Sequence, residues 1–165
     1  MPARIIGTGS ALPALLVSNR ELEKIVDTTD EWIRSRTGIE SRHIAVEETT
    51  TSMAIEAAKK ALQDAKASPE ELDLIIVGTI SPDHYFPSTA CEIQNALGAV
   101  NATAFDISAA CAGFLFGLGI VDAYMKADTV RTALVVGAET LSKMMDWNDR
   151  STCVLFGDGA GAAVV

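Results

Sequence analysis

Residues Leu72 to Thr79, LDLIIVGT, restrict the fold more than any other stretch of the chain. They are apolar almost without interruption. A strand of that kind is buried on both faces, so it belongs inside a sheet that is covered on each side. A second such run is Arg131 to Ala138, RTALVVGA. Between them, Ala104 to Ser108 reads as a strand that feeds a segment with helical apolar spacing at Phe114, Leu118, Val121 and Met125. Ser52 to Ala65 is an amphipathic helix, and Thr89 to Leu97 is a helix closed by Gly98. Strands and helices alternate as β–α–β–α–β–α–β–β. That order predicts an α/β fold: a mixed, mostly parallel sheet with helices on both faces.

The 165 residues, 48% of them hydrophobic, suffice for one domain over 1–165 with its own core. A net charge of −9 argues against nucleic acid or an anionic membrane as the main partner. Cys91, Cys111 and Cys153 are far apart and form no CxxC, so neither a disulfide framework nor a metal site is expected. That usage favours a reducing, cytoplasmic setting. No signal peptide or bilayer-spanning run is visible. The last residues, Gly161 to Val165, form an apolar strand with no polar tail, which suggests that further structure packs there.

Chemistry concentrates at Ala109-Ala110-Cys111-Ala112-Gly113. A strand passing into a helix through small residues bends sharply. It sets Cys111 beside the unpaired N–H groups and positive dipole end of the helix. Those features stabilise a thiolate, the nucleophilic form of cysteine. A free cysteine is more often a buried packing residue, and the bend alone does not decide between the two roles.

Other features are weaker. Gly7-Thr8-Gly9 lacks the third glycine of a dinucleotide loop, so it reads as a turn after a strand. Ser18 or Asn19 caps one short helix, and Thr28 or Thr29 caps another. Trp32 and Arg36 are four residues apart and share a face of the second helix. An aromatic plane beside a guanidinium suits an adenine ring and phosphates, although an Arg laid on a Trp is commonly a surface staple. His43 reads as a surface or supporting group. His84 could form a hydrolytic dyad with Cys111. Gly157 to Ala162, GDGAGA, lacks the Lys-Ser/Thr of a phosphate loop, so its glycines read as close backbone approach and a sharp turn.

Taken together, IIGTGSALP, DTTDEWIRSRTGIESRHIA, FPSTACEIQNALG, AFDISAACAGF, ALVVGAE and FGDGAGAAVV resemble, in order and spacing, the β-ketoacyl-acyl-carrier-protein synthase III family of thiolase-fold condensing enzymes. The resemblance covers the whole chain. The family is about twice this length and is built from two similar halves, so the chain looks like the N-terminal half. The resemblance implies that Cys111 takes an acyl group from a coenzyme A thioester. It implies that Thr28, Trp32, Arg36 and Arg150 line the coenzyme A site, and that Phe86 reaches across a homodimer into the neighbour's acyl pocket.

The implied reaction condenses acetyl-CoA with malonyl-acyl-carrier-protein and so begins fatty acid synthesis. The decarboxylating His and Asn of the family lie in its second half, which leaves this half incomplete for that step. No bound cofactor is implied. The acidic carrier protein implies a basic patch, for which this chain offers Arg34, Arg36, Arg42 and Arg150. The alternatives are another thiolase-fold enzyme, of the starter-unit polyketide synthase or hydroxymethylglutaryl-CoA synthase type, and a non-catalytic partner subunit. Cys111 argues against the last, because decoy subunits of this kind usually lose the nucleophile.

Overall fold

The computed structural model describes residues 3–165. Its central sheet has five strands: β1 (Gly7–Ala11), β4 (Leu74–Gly78), β5 (Thr103–Ile107), β6 (Ala133–Thr140) and β7 (Asp158–Val164). A separate two-stranded ribbon joins β2 (Leu15–Ser18) to β3 (Ser41–Ile44). The sheet order is β1-β7-β6-β4-β5. β4 is parallel to both β5 and β6, while β7 is antiparallel to both β6 and β1. Four of the five strands therefore point the same way, as the alternating pattern predicts.

The helices are α1 (Asn19–Leu22), α2 (Asp30–Thr37), α3 (Thr50–Ala65), α4 (Thr89–Leu97) and α5 (Gly113–Lys126). β4 shows why its sequence had to be apolar throughout. Ile75 and Val77 face one side, where they pack with Ala54, Ala58 and Leu62 of α3. Leu74 and Ile76 face the other, with Val121 of α5. All four β4 side chains are at most 1% exposed. A third cluster, Leu22, Ile33, Cys153 and Val154, forms a satellite core under α1 and α2. Among the described residues no helix is long and apolar enough to cross a membrane.

Two glycine motifs depart from expectation. Gly7-Thr8-Gly9 is not a turn but the first part of β1. A Cβ on Gly7 or Gly9 would lie within 2.6 Å of backbone atoms of α3, at Ala61 and Ala65 or at Ala57 and Ala61. The missing side chains let the helix lie directly on the strand. GDGAGA likewise makes no sharp turn: Gly159 and Gly161 lie within β7. Close approach does hold at Gly157, where a Cβ would sit 2.9 Å from the His43 carbonyl oxygen of β3. The β2 strand was not anticipated. It exists because it pairs with β3, a partner some 25 residues away along the chain.

Candidate active site

β1, β4, β5 and β6 all deliver their carboxyl ends to one edge of the sheet. In open α/β sheets that edge is where ligands bind. The segment after β1 carries α1 and α2, the segment after β4 carries Phe86, the segment after β5 carries Cys111, and the segment after β6 carries Arg150. Each of these segments therefore starts from the same edge of the sheet.

After Ile107 the chain bends through Ala110, whose φ of +45° lies in the left-handed region. Lys66 and Asp128, the other non-glycine residues with positive φ among the described residues, each follow the end of a helix. Ala110 stands before one, so it marks the bend itself. A left-handed L-residue costs about 1–2 kcal/mol. Cys111 sits in a short 3-10 turn, Ala110–Ala112, directly ahead of α5, and it is exposed. The turn is pressed onto the sheet by glycine. A Cβ on Gly78 at the end of β4 would stand 2.7 Å from the Gly113 carbonyl carbon. The predicted arrangement of strand, small-residue bend, cysteine and helix is therefore present.

The other cysteines differ. Cys153 is fully buried, and desolvation pushes its thiol pKa up. Cys91 is half-buried, with its sulfur 3.8 Å from the Ala104 carbonyl oxygen. His43 places Nδ1 2.6 Å from the Pro13 carbonyl oxygen, a structural contact. His84 is exposed.

A second feature forms around Trp32. Thr29 caps α2 by accepting the Trp32 N–H at 3.1 Å. The guanidinium carbon of Arg36 lies 4.6 Å from the Trp32 ring centroid, and that of Arg150 lies 4.8 Å from it. Two cations on one indole are more than a single staple requires. Arg150 is held by the Asp27 carbonyl oxygen at 3.0 Å. Asp27 drew no attention in the sequence, since an exposed acid carries no local signal. Among the described residues Arg36 makes no salt bridge, which leaves its charge available to an anion. Thr28 Oγ1 is buried without a hydrogen-bond partner, an orphaned group beside this cluster in sequence.

The expected basic patch is reduced. Arg42 is only 5% exposed and turns inward, donating to Asn19 Oδ1 at 2.8 Å and to the carbonyls of Val17 and Val154. It ties the ribbon to the satellite core and cannot serve a docking surface. Arg34 is paired with Glu40 at 2.8 Å and Asp30 at 3.8 Å. Phe86 stands out on its loop, 91% exposed, next to a fully exposed Tyr85.

The chain is similar to known proteins along its whole length. Residues 105–165 match the 3-oxoacyl-[acyl-carrier-protein (ACP)] synthase III family. The chain is 59% identical over 165 residues to the β-ketoacyl-[acyl-carrier-protein] synthase III of Aquifex aeolicus, covering 100% of this chain and 53% of that protein. It is 58% identical to the enzyme of the same name from Caldanaerobacter subterraneus, over 99% of this chain and 50% of that one. The chain spans about half the length of the curated relatives it matches. The crystal structure of the Aquifex aeolicus synthase superposes with a TM-score of 0.96 at 60% identity, over 98% of this chain and 52% of that one. The priming β-ketosynthase of the R1128 polyketide pathway follows with 0.94 at 44%, over 98% and 48%.

Proposed function

We propose, from the premise that the chain belongs to the β-ketoacyl-acyl-carrier-protein synthase III family and corresponds to its N-terminal half, that it supplies the acyl-transfer part of a condensing enzyme. Cys111 is the nucleophile. Its thiolate attacks the carbonyl carbon of a short acyl-CoA, acetyl-CoA in the first instance. The carbon–sulfur bond to Cys111 forms as the bond to coenzyme A breaks, and the coenzyme leaves as a thiolate that takes up the proton Cys111 released. The observation that carries this reading is the exposed Cys111 on a left-handed bend at the carboxyl edge of the sheet.

Thr28, Trp32, Arg36 and Arg150 hold the coenzyme. The indole and guanidinium planes take the adenine, and Arg36 takes a phosphate. A backbone N–H at the bend, that of Cys111 itself, stabilises the thioester oxygen as charge develops on it. Condensation with malonyl-acyl-carrier-protein in the cytoplasm, the first step of fatty acid synthesis, needs the decarboxylating groups of the family's other half. In the assembled homodimer Phe86 borders the partner's acyl pocket. Its near-complete exposure supports that placement. The likeness to a polyketide priming β-ketosynthase supports a second reading, in which the same acyl transfer primes a polyketide.

Intact mass after incubation with acetyl-CoA tests the proposal. An acetyl adduct is expected on the chain and not on Cys111→Ser. An adduct that persists in Cys111→Ser would remove Cys111 from the mechanism. Trp32→Ala is expected to weaken coenzyme A binding about tenfold while leaving Cys111 reactive to a small alkylating agent. Equal affinity in both forms would place the coenzyme elsewhere.

A further inference from the structure

The loop that carries Phe86 begins where β4 stops pairing, and its first residues are held by a single side chain from the neighbouring strand. Glu139, near the end of β6, accepts the N–H of Ile80 at 3.0 Å, the N–H of Ser81 at 3.1 Å and the hydroxyl of Thr79 at 3.2 Å. It also accepts the hydroxyl of Ser81. Four donors from three consecutive residues converge on one carboxylate. Ser81 is itself buried. Its hydroxyl oxygen accepts the Thr140 N–H at 2.9 Å, and its carbonyl accepts the Thr50 hydroxyl at 2.7 Å.

The sheet does not need this carboxylate. β4 and β6 are already joined as far as Gly78 and Gly137. Every donor to Glu139 lies beyond that last pair, so the side chain extends the lock from the sheet into the loop. Asp83 makes a second clamp two residues further on, accepting the Thr50 and Thr51 N–H groups at the start of α3. Beyond it Tyr85 and Phe86 project almost fully exposed. They stand between these two clamps and the start of α4, where Asp106 accepts the Thr89 and Ala90 N–H groups at 2.9 and 2.8 Å.

We propose that Glu139 is a positioning residue: its carboxylate fixes the stance of the Phe86 loop and thereby the length of acyl group accepted in the pocket across the homodimer. The proposal rests on the reading of Phe86 as a border of the acyl pocket. A carboxylate suits the task because it only accepts, and every group facing it donates. Glutamine keeps the size but turns an NH2 toward those donors. Aspartate keeps the charge but draws it back by one methylene.

The test compares Glu139→Gln, Glu139→Asp and Phe86→Ala with the parent chain. The C-terminal half of a full-length relative is supplied where acylation requires it. Two quantities are read: amide exchange at Ile80 and Ser81, and the ratio of Cys111 acylation rates with acetyl-CoA and hexanoyl-CoA by intact mass. Glu139→Gln is expected to speed exchange at Ile80 and Ser81 about tenfold with β4 and β6 unchanged. It is expected to move the acetyl-to-hexanoyl ratio at least about threefold, in the same direction as Phe86→Ala. Glu139→Asp should restore part of both effects. A ratio moved by Phe86→Ala and not by Glu139→Gln would overturn the proposal at Glu139. A ratio unmoved by Phe86→Ala would overturn it through its premise, with the loop exchange then reporting only a local clamp.

Discussion

Three cysteines in one chain differ in what their surroundings permit. Cys153 is enclosed by the satellite core, where ionisation would place a thiolate in apolar surroundings, so burial holds it as a thiol. Cys91 lies on α4 with its sulfur turned toward a backbone carbonyl. Cys111 alone is exposed, and it follows a residue held at left-handed φ. Alkylation rates should rank accordingly. With iodoacetamide near pH 8, one fast modification is expected on Cys111, a slower one on Cys91, and one on Cys153 only when the chain unfolds. Peptide mapping against time checks the order. Early labelling of Cys153 would mean that the satellite core opens readily and that Trp32 rests on a mobile base.

At the scale of elements, glycine decides how closely helices approach strands. Gly78 meets Gly113 backbone to backbone, and nothing there can give way. Gly78→Ala should therefore cost about 1–3 kcal/mol, the range for overpacking, and should slow acylation by lifting the Cys111 turn off β4. Gly119, on the same helix, has no atom within 4 Å of a would-be Cβ. Gly119→Ala should add up to about 1 kcal/mol of stability from helix propensity alone. Urea denaturation of the pair separates the two effects, and a similar loss in both would refute the argument from contact. The same physics explains what could be read from the sequence. The β4 assignment follows from an unbroken apolar run and the α3 and α5 assignments from periodicity, and both signals are local. The role of Gly7 and Gly9 could not, because what excludes a side chain there is a helix some 50 residues later. The Trp32–Arg36 pair was legible as a four-residue spacing. Asp27 holding Arg150 was not, being a contact across 123 residues.

For the molecule as a whole, charge sets the range over which these elements stay together. Asp83 is the informative case. Burial works to raise its pKa, but hydrogen bonds from Thr51, Thr49 and Thr50 outweigh it and hold the carboxyl below the ordinary range. The exposed carboxyls of Glu48 and Asp149 are held low as well, by the Ala14 N–H and by the Ser151 hydroxyl respectively. A carboxyl depressed in the folded state takes up its proton later than in the unfolded chain. The unfolded chain therefore binds more protons between the two values, and stability falls as pH falls. The contribution is complete above the unfolded value of about 4 and is lost as pH drops through the folded one. Cys153 acts at the other end. Its thiol is raised, so the stability linked to it is complete below the unfolded value of about 8.5 and is lost as pH rises beyond it. The melting temperature should thus form a plateau with two edges. Asp83→Asn should flatten the acid edge by leaving one fewer depressed carboxyl, and Cys153→Ala should flatten the alkaline edge. Circular dichroism from pH 3 to 10 compares both variants with the parent chain. An acid edge equally steep in Asp83→Asn would assign the linkage to the exposed carboxyls. The clamp on the Phe86 loop would then be free of pH down to the unfolding transition itself.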